Sequence, residues 1–313
     1  MSILVTGGAG YVGSILTEQL LDLGHTITVL DAMWFGNFLK PHPKLTLWER
    51  DVREAGALNL KQFKQIVHLA NVANDPCVEL DPKLSWEVNA LATMQLCDRS
   101  VRDGVEQFIF ASSGSVYGIK NEMQVTENLT LNPISEYNKT KMVAERVVLS
   151  YGDKMKVQCV RPATVCGLSP RMRLDLSVNM LTMQALKNGE ITVLGGDQTR
   201  PNIHIDDLVG VYLHFLGEGR ESTGIFNAGF ENMSIMQIAE MAAACTQAKI
   251  TVRESNDPRS YRLNSDRLLS TGFRPKKSVK KAMDELIEAF REGRLQDLEQ
   301  YHNVKWMKKN RVT

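Results

Sequence analysis

Cysteine is scarce and unpatterned in this sequence: five residues (Cys77, Cys97, Cys159, Cys166, Cys245), an odd number with no Cys-x-x-Cys pair. That argues against a disulfide framework or a cysteine-based zinc site and suits a reducing compartment. The six histidines show no ligand spacing and no His-Glu-x-x-His segment occurs, so no metal is expected. No apolar run reaches the roughly 18 residues of a membrane span. Long blocks of one charge sign are also missing, and the formal net charge is only +1, so neither a membrane nor nucleic acid is expected as a partner. Residue 3 already opens an apolar strand that runs into a glycine loop, which leaves no room for a signal peptide. A cytoplasmic location is expected.

What is present is alternation. Strand-like runs at Ile3 to Val5, Thr26 to Leu30, Leu45 to Trp48, Gln65 to Leu69, Gln107 to Ala111 and Lys156 to Val160 are separated by helical patterns. The clearest of these are Tyr11 to Leu23, Leu84 to Val101 and Tyr137 to Ser150. Such βα alternation predicts an α/β fold with a doubly wound, parallel Rossmann sheet. After about residue 165 the regularity weakens, with turn signals at Ser169-Pro170, Gly195-Gly196 and Asp257-Pro258. The expected division is a dinucleotide-binding domain over 1–165 and, over 166–313, a smaller α/β substrate lobe, part of which returns to the first domain. Val279, Ala282, Met283, Leu286, Ile287 and Phe290 repeat at helical spacing and predict a core-facing helix.

The stretch Thr6-Gly7-Gly8-Ala9-Gly10-Tyr11-Val12-Gly13 follows a strand and opens a helix. Gly7 permits a tight turn, Gly10 lets backbone N–H groups of the Tyr11-Val12 turn approach a diphosphate, and Gly13 allows close helix packing. Asp31 ends the second strand, where a carboxylate can hold an adenosine ribose hydroxyl, and no Lys or Arg follows before Lys40. NAD is therefore expected over NADP. Asp51-Val52 follows the third strand, and Asp51 could accept from an adenine amino group.

Tyr137-Asn138-Lys139-Thr140-Lys141 places a tyrosine and a lysine one helical turn apart. A phenol is too weak an acid to serve as a base at neutral pH unless a nearby ammonium and a nicotinamide cation stabilise its anion. Spacing alone decides nothing, because Tyr301 and Lys305 share it. Context decides: Tyr137 opens the helix after the fifth strand, at the sheet edge where ligands of doubly wound folds bind, whereas Tyr301 belongs to a charged tail. The fifth strand runs into Ser112-Ser113-Gly114-Ser115-Val116-Tyr117, so Ser113 or Ser115 could share a proton with a substrate oxygen. Asp206-Asp207 precedes a helical pattern and is read as a cap, His68 and His204 as structural imidazoles, and Cys166 as a small core residue.

Taken together, TGGAGYVG at 6–13, HLAN at 68–71, the Asn89 segment, SSGSVYG at 112–118, Tyr137 to Lys141, RPATVCG at 161–167 and RPNIHIDDL at 200–208 resemble the extended short-chain dehydrogenases. That family includes nucleotide-sugar 4-epimerases and dehydratases. The resemblance implies that Tyr137 is the base, Lys141 holds the nicotinamide ribose and Ser113 is the hydroxyl partner, with Tyr117 secondary. It also implies that Leu69, Ala70, Asn71, Asn89 and Pro162 lie on the NAD site, that Asn179, Arg200 and Arg259 meet the nucleotide-sugar diphosphate, and that the protein is a homodimer built on the helices near 84–101 and 137–150. Dehydratases of the family carry two carboxyls where this chain has Gly114 and Ser115, so elimination of water is not expected. Asn71, Cys166 and the 257–262 segment also depart from the usual pattern, the last leaving the nucleotide base open. SSGSVYG, the Tyr137 segment and RPATVCGLSPRMR resemble most the bacterial 4-dehydrogenases acting on GDP-activated heptose for capsule synthesis, with a 4-epimerase as the alternative net reaction. A non-catalytic NAD(H) sensor, the rival of another class, has no need for Tyr137, Lys141 and Ser113 together.

Overall fold

Strands that read as continuous apolar runs are those a parallel sheet buries on both faces, and the computed structural model, which describes residues 2–255 and 260–312, arranges them so. The strands are β1 (Ser2–Thr6), β2 (Thr26–Asp31), β3 (Leu45–Glu49), β4 (Gln65–His68), β5 (Gln107–Ala111), β6 (Lys156–Pro162), β7 (Thr164–Cys166), β8 (Glu190–Leu194), β9 (Thr199–His204), β10 (Gly224–Ala228), β11 (Glu231–Ser234) and β12 (Lys249–Arg253). The main sheet runs β3-β2-β1-β4-β5-β6-β10, every neighbouring pair parallel. Its order reverses between β1 and β4, the switch point at which doubly wound sheets open a crevice.

The helices are α1 (Tyr11–Asp22), α2 (Asp75–Val78), α3 (Pro82–Trp86), α4 (Ala92–Asp103), α5 (Glu136–Leu149), α6 (Ser177–Asn188), α7 (Ile205–Leu216), α8 (Ile235–Thr246), α9 (Asp266–Ser270), α10 (Val279–Arg291) and α11 (Asn303–Asn310). The single helical pattern read near 84–101 is broken by a π-turn over Glu87–Leu91 between α3 and α4. Asn89, inside that turn, exchanges hydrogen bonds with both the N–H and the C=O of Val72. The turn thus holds a side chain engaged with a neighbouring loop, and π-turns tend to fall beside functional sites.

Beside the main sheet stands a smaller second lobe with a three-stranded sheet, β11-β9-β7, and a β12-β8 pair. Its own core joins Val178, Leu181, Ile191, Val193, Ile238, Ala282 and Met283. The chain then recrosses: β10 closes the main sheet beside β6, and α7 packs Val209, Tyr212 and Phe215 into the cluster that holds Leu16 and Leu20 of α1. Residues 205–228 thus sit with the first domain in space. The α10 stripe is buried at Val279, Ala282, Met283, Leu286 and Ile287. No helix among the described residues is long and apolar enough to cross a membrane.

Candidate active site

The glycine loop is built as tightly as its spacing suggests. Gly7 has φ +70°, and a Cβ there would lie 2.6 Å from the Ala70 nitrogen, while one on Gly13 would lie 2.1 Å from the Gly7 oxygen. Gly13 therefore packs closely on the turn that leaves β1. No side chain caps α1 at Gly10, so its first-turn amides face the cleft with the positive end of the helix dipole. Asp31 also lines this cleft and is held rigidly, taking the Ala9 amide at 3.0 Å and the Met33 amide at 2.9 Å. Asp51 and Val52 line it too, although Asp51 already caps the turn that follows it and pairs with Arg53 at 2.9 Å. Leu69, Ala70, Asn71 and Pro162 complete this wall. The Asn71 amide nitrogen donates to the Leu69 carbonyl at 2.7 Å, while its Oδ1 is buried with no partner among the described residues. Such an acceptor calls for a donor from a bound molecule. An uncapped helix start, a fixed carboxylate and an orphan acceptor in one crevice fit a dinucleotide.

At the far end of the same cleft lie Tyr137, Lys141, Ser113 and Ser115. Ser135 caps α5 by accepting the Asn138 amide, which fixes Tyr137 and Lys141 in the first turns. Ser115 donates to Asn138 Oδ1 at 2.6 Å, and the Ser113 and Ser115 hydroxyls are 2.7 Å apart. This leaves Ser113 as the hydroxyl beside the phenol. Burial pushes the Tyr137 phenol up to about 12, opposed first by the Ser113 hydrogen bond and then by the Arg173 charge. Lys141 stands one helical turn from Tyr137 on α5. Its ammonium donates to the Ala111 carbonyl at 2.6 Å and lies 4.8 Å from the Phe110 ring centre. Burial lowers it from 10.5 to about 7.

That depression has a testable sign. Below pH 7 both folded and unfolded chains carry the Lys141 proton, and the folded state bears the full desolvation cost. Between pH 7 and 10.5 the unfolded chain alone keeps the proton, so stability rises with pH across this window. Lys141→Met is expected to stabilise the cofactor-free protein by on the order of a few kcal/mol at pH 6, with a smaller gain at pH 9. Urea denaturation at the two pH values checks it, and an equal gain at both would contradict the assignment.

The second lobe contributes residues that sequence reasoning missed. The loop between β7 and α6 places Arg171, Arg173 and Leu176 in the cleft. Arg173 makes a two-pronged pair with Asp175, both contacts 3.0 Å, and Asn74 donates to the same carboxylate at 3.1 Å. Two arginines two residues apart after a Ser-Pro turn, with an aspartate following, were the available signal.

Several expected ligand-binding residues are not brought to the cleft. Tyr117 is fully buried, donating to Asn227 at 2.8 Å and accepting from Arg161 at 2.6 Å, because the chain after Ser115 turns into the core. Asn89 is tied to Val72 and Thr140 behind the cleft wall. Asn179 is buried, accepting from the Gly167 amide and donating to Tyr11 Oη and the Arg173 carbonyl, so it shapes the Arg173 loop. Arg200 lies in β9, outside the cleft lining, and Arg259 lies outside the described residues. Tyr301 is no tail residue: it is buried in a cluster with Tyr11 and Met172. Asp206-Asp207 do not supply the cap of α7, which is His204; Asp207 instead accepts the Lys276 and Lys277 amides. His204, Asp206 and Glu285 cluster as metal ligands could, but the Lys277 ammonium pairs with both carboxylates. His68 is held between Thr6 and Thr93, and Cys166 is fully buried.

Behind the catalytic edge, Arg161 and Glu145 form a buried pair, 1% and 0% exposed, at 2.5 and 2.8 Å. Ser112 donates to the same carboxylate at 2.7 Å. The pair joins α5 to β5 and β6, and so sets the helix that carries Tyr137.

Comparison with known proteins gives the family. A family model described as the NAD dependent epimerase/dehydratase family matches residues 3–229. The UDP-glucose 4-epimerase of Lactobacillus helveticus is 26% identical over 306 residues, covering 88% of this chain and 92% of that protein. The UDP-glucose 4-epimerase of Corynebacterium glutamicum is 27% identical, covering 85% and 88%. Among solved structures, MoeE5 in complex with UDP-glucuronic acid and NAD superimposes with a TM-score of 0.83 at 26% identity, covering 94% of this chain and 100% of that one. The Thermus thermophilus UDP-glucose 4-epimerase complex with NAD gives 0.82 at 24% identity, covering 93% and 99%, a likeness of fold.

Proposed function

Because the chain belongs to the NAD dependent epimerase/dehydratase family, with NAD as its cofactor, we propose that it oxidises a nucleotide-activated hexose reversibly at C4 and acts as a 4-epimerase. The observation that carries this reading is the meeting of Tyr137, Ser113 and Lys141 in one cleft with the glycine loop and Asp31. NAD, when bound, supplies the hydride acceptor, and its nicotinamide cation favours the phenolate that burial alone disfavours. Tyr137 Oη takes the proton of the sugar C4 hydroxyl, Ser113 orients that hydroxyl, and Lys141 adds positive charge beneath the site from the Ala111 carbonyl.

Two features weigh against dehydration. Gly114 and Ser115 supply no carboxyl, and Asp75, a carboxylate of the cleft lining, is engaged by Ser135. The likeness to GDP-heptose 4-dehydrogenases finds no support in the relatives described above, and the 4-epimerases among them favour return of the hydride over release of a ketone. A homodimer fits the same reading: Leu91 and Met94, beside and within α4, are 45% and 42% exposed.

Incubation with UDP-glucose, UDP-glucuronic acid and GDP-manno-heptose, read at C4 by NMR and at the NADH absorbance, tests the proposal. A C4-inverted sugar with no net NADH is expected. A C4 ketone with accumulating NADH would replace the epimerase with a 4-dehydrogenase, and no product with no absorbance change would return the non-catalytic NAD(H) sensor.

A further inference from the structure

Of the arginines buried near the cleft, Arg161 has Glu145 and Arg173 has Asp175 as a partner, whereas Arg171 has no carboxylate within ion-pair distance among the described residues. It is 2% exposed and lines the cleft. Its guanidinium donates to Asn303 Oδ1 at 2.6 Å and to the Met172 carbonyl at 3.2 Å and lies 4.1 Å from the Phe35 ring centre, while Nε is buried without a partner. Burial, and secondly repulsion from Arg173, lower it from 12.5 to about 9, so it remains charged at neutral pH. Asp175 and Asp31 oppose that shift only from beyond ion-pair distance, and a buried charge without a close counter-ion is costly unless binding provides one.

Its position says which anion. Ser169, two residues before Arg171, donates to the Tyr11 carbonyl at 2.7 Å and lies 3.1 Å from the Ser14 hydroxyl, which pins this loop to the first turn of α1; that helix follows β1, which lies in the sheet between β2, ending at Asp31, and β5, which runs into the serine edge. Arg171 therefore stands between the two ends of the cofactor site, where a dinucleotide has its phosphates. The α1 N-terminus reaches that place from the first domain with partial charges only. We propose that Arg171 is a diphosphate clamp for NAD, reaching from the second lobe to supply the full positive charge that the glycine loop lacks. The Asp31 carboxylate disfavours the alternative of a ribose 2′-phosphate, and the clamp ties the second lobe to cofactor occupancy.

The test is titration of the full chain, freed of cofactor, with NAD, ADP-ribose, adenosine, NADP and UDP. Arg171→Met keeps the volume and removes the charge. It should bind NAD and ADP-ribose on the order of 10²-fold more weakly, bind adenosine and UDP within about 3-fold of the parent, and melt without cofactor no lower than the parent. Arg171→Lys, which keeps the charge without the planar fork, should recover part of the ADP-ribose affinity; it carries the test if the Met variant does not fold. Unchanged ADP-ribose binding would overturn the clamp. So would an equal loss for adenosine, which marks a distorted ribose site, a loss confined to UDP, which places the cation on the substrate diphosphate, or a loss confined to NADP.

Discussion

Tyr137→Phe should fold, bind NAD as the parent does and lose turnover by roughly 10³-fold. The substitution removes only the phenolic oxygen from a side chain whose ring packs in the main core. The loss should be in kcat with KM little changed, because the oxygen acts on the proton in flight and not on the nucleotide. Tyr301→Phe provides the control. Tyr301 shares the spacing to a lysine, but its neighbours are Phe38, Met172 and Leu174, and its turnover should stay near the parent's. A damaging Tyr301→Phe beside a silent Tyr137→Phe would reverse the choice between the two pairs.

Glu145→Gln should cost about 3–5 kcal/mol of stability. The amide cannot balance the Arg161 charge, and the Ser112 hydrogen bond to that oxygen changes character as well. The same guanidinium stacks 4.7 Å from the Tyr117 ring centre and donates to its hydroxyl, which donates to Asn227 in β10. Loss of the carboxylate should thus loosen α5, β6 and β10 together. Replacing both members, Glu145→Met with Arg161→Met, should cost less than the single change, since no unpaired charge is left. Urea denaturation of the two single variants and the double variant measures the coupling. A Glu145→Gln cost below about 1 kcal/mol would show the pair to be incidental.

The sequence exposed most clearly what local chemistry determines. A strand entering a glycine loop admits few backbone paths, so Gly7, Gly13 and Asp31 could be placed from spacing, and the βα alternation carried the parallel sheet. The π-turn at Glu87–Leu91 was not legible, because it depends on Asn89 meeting Val72 across the fold. The fates of Tyr117 and Asn179 were hidden for a similar reason. Their hydroxyl and amide look outward-facing in a motif, but their partners Arg161, Asn227, Tyr11 and Arg173 converge only through tertiary packing. Arg171 is the opposite case: the sequence between Asp31 and Lys40 holds no cation, and the one that Asp31 senses arrives from 140 residues further along the chain.

Reversible hydride transfer at C4 is followed most directly by deuterium placed on C4 of the nucleotide sugar that the protein turns over. The account predicts a 4-epimer that keeps deuterium on C4, with no net NADH and no label in water. A 4-keto product with reduced cofactor accumulating, or an epimer whose label has exchanged with solvent, would contradict it.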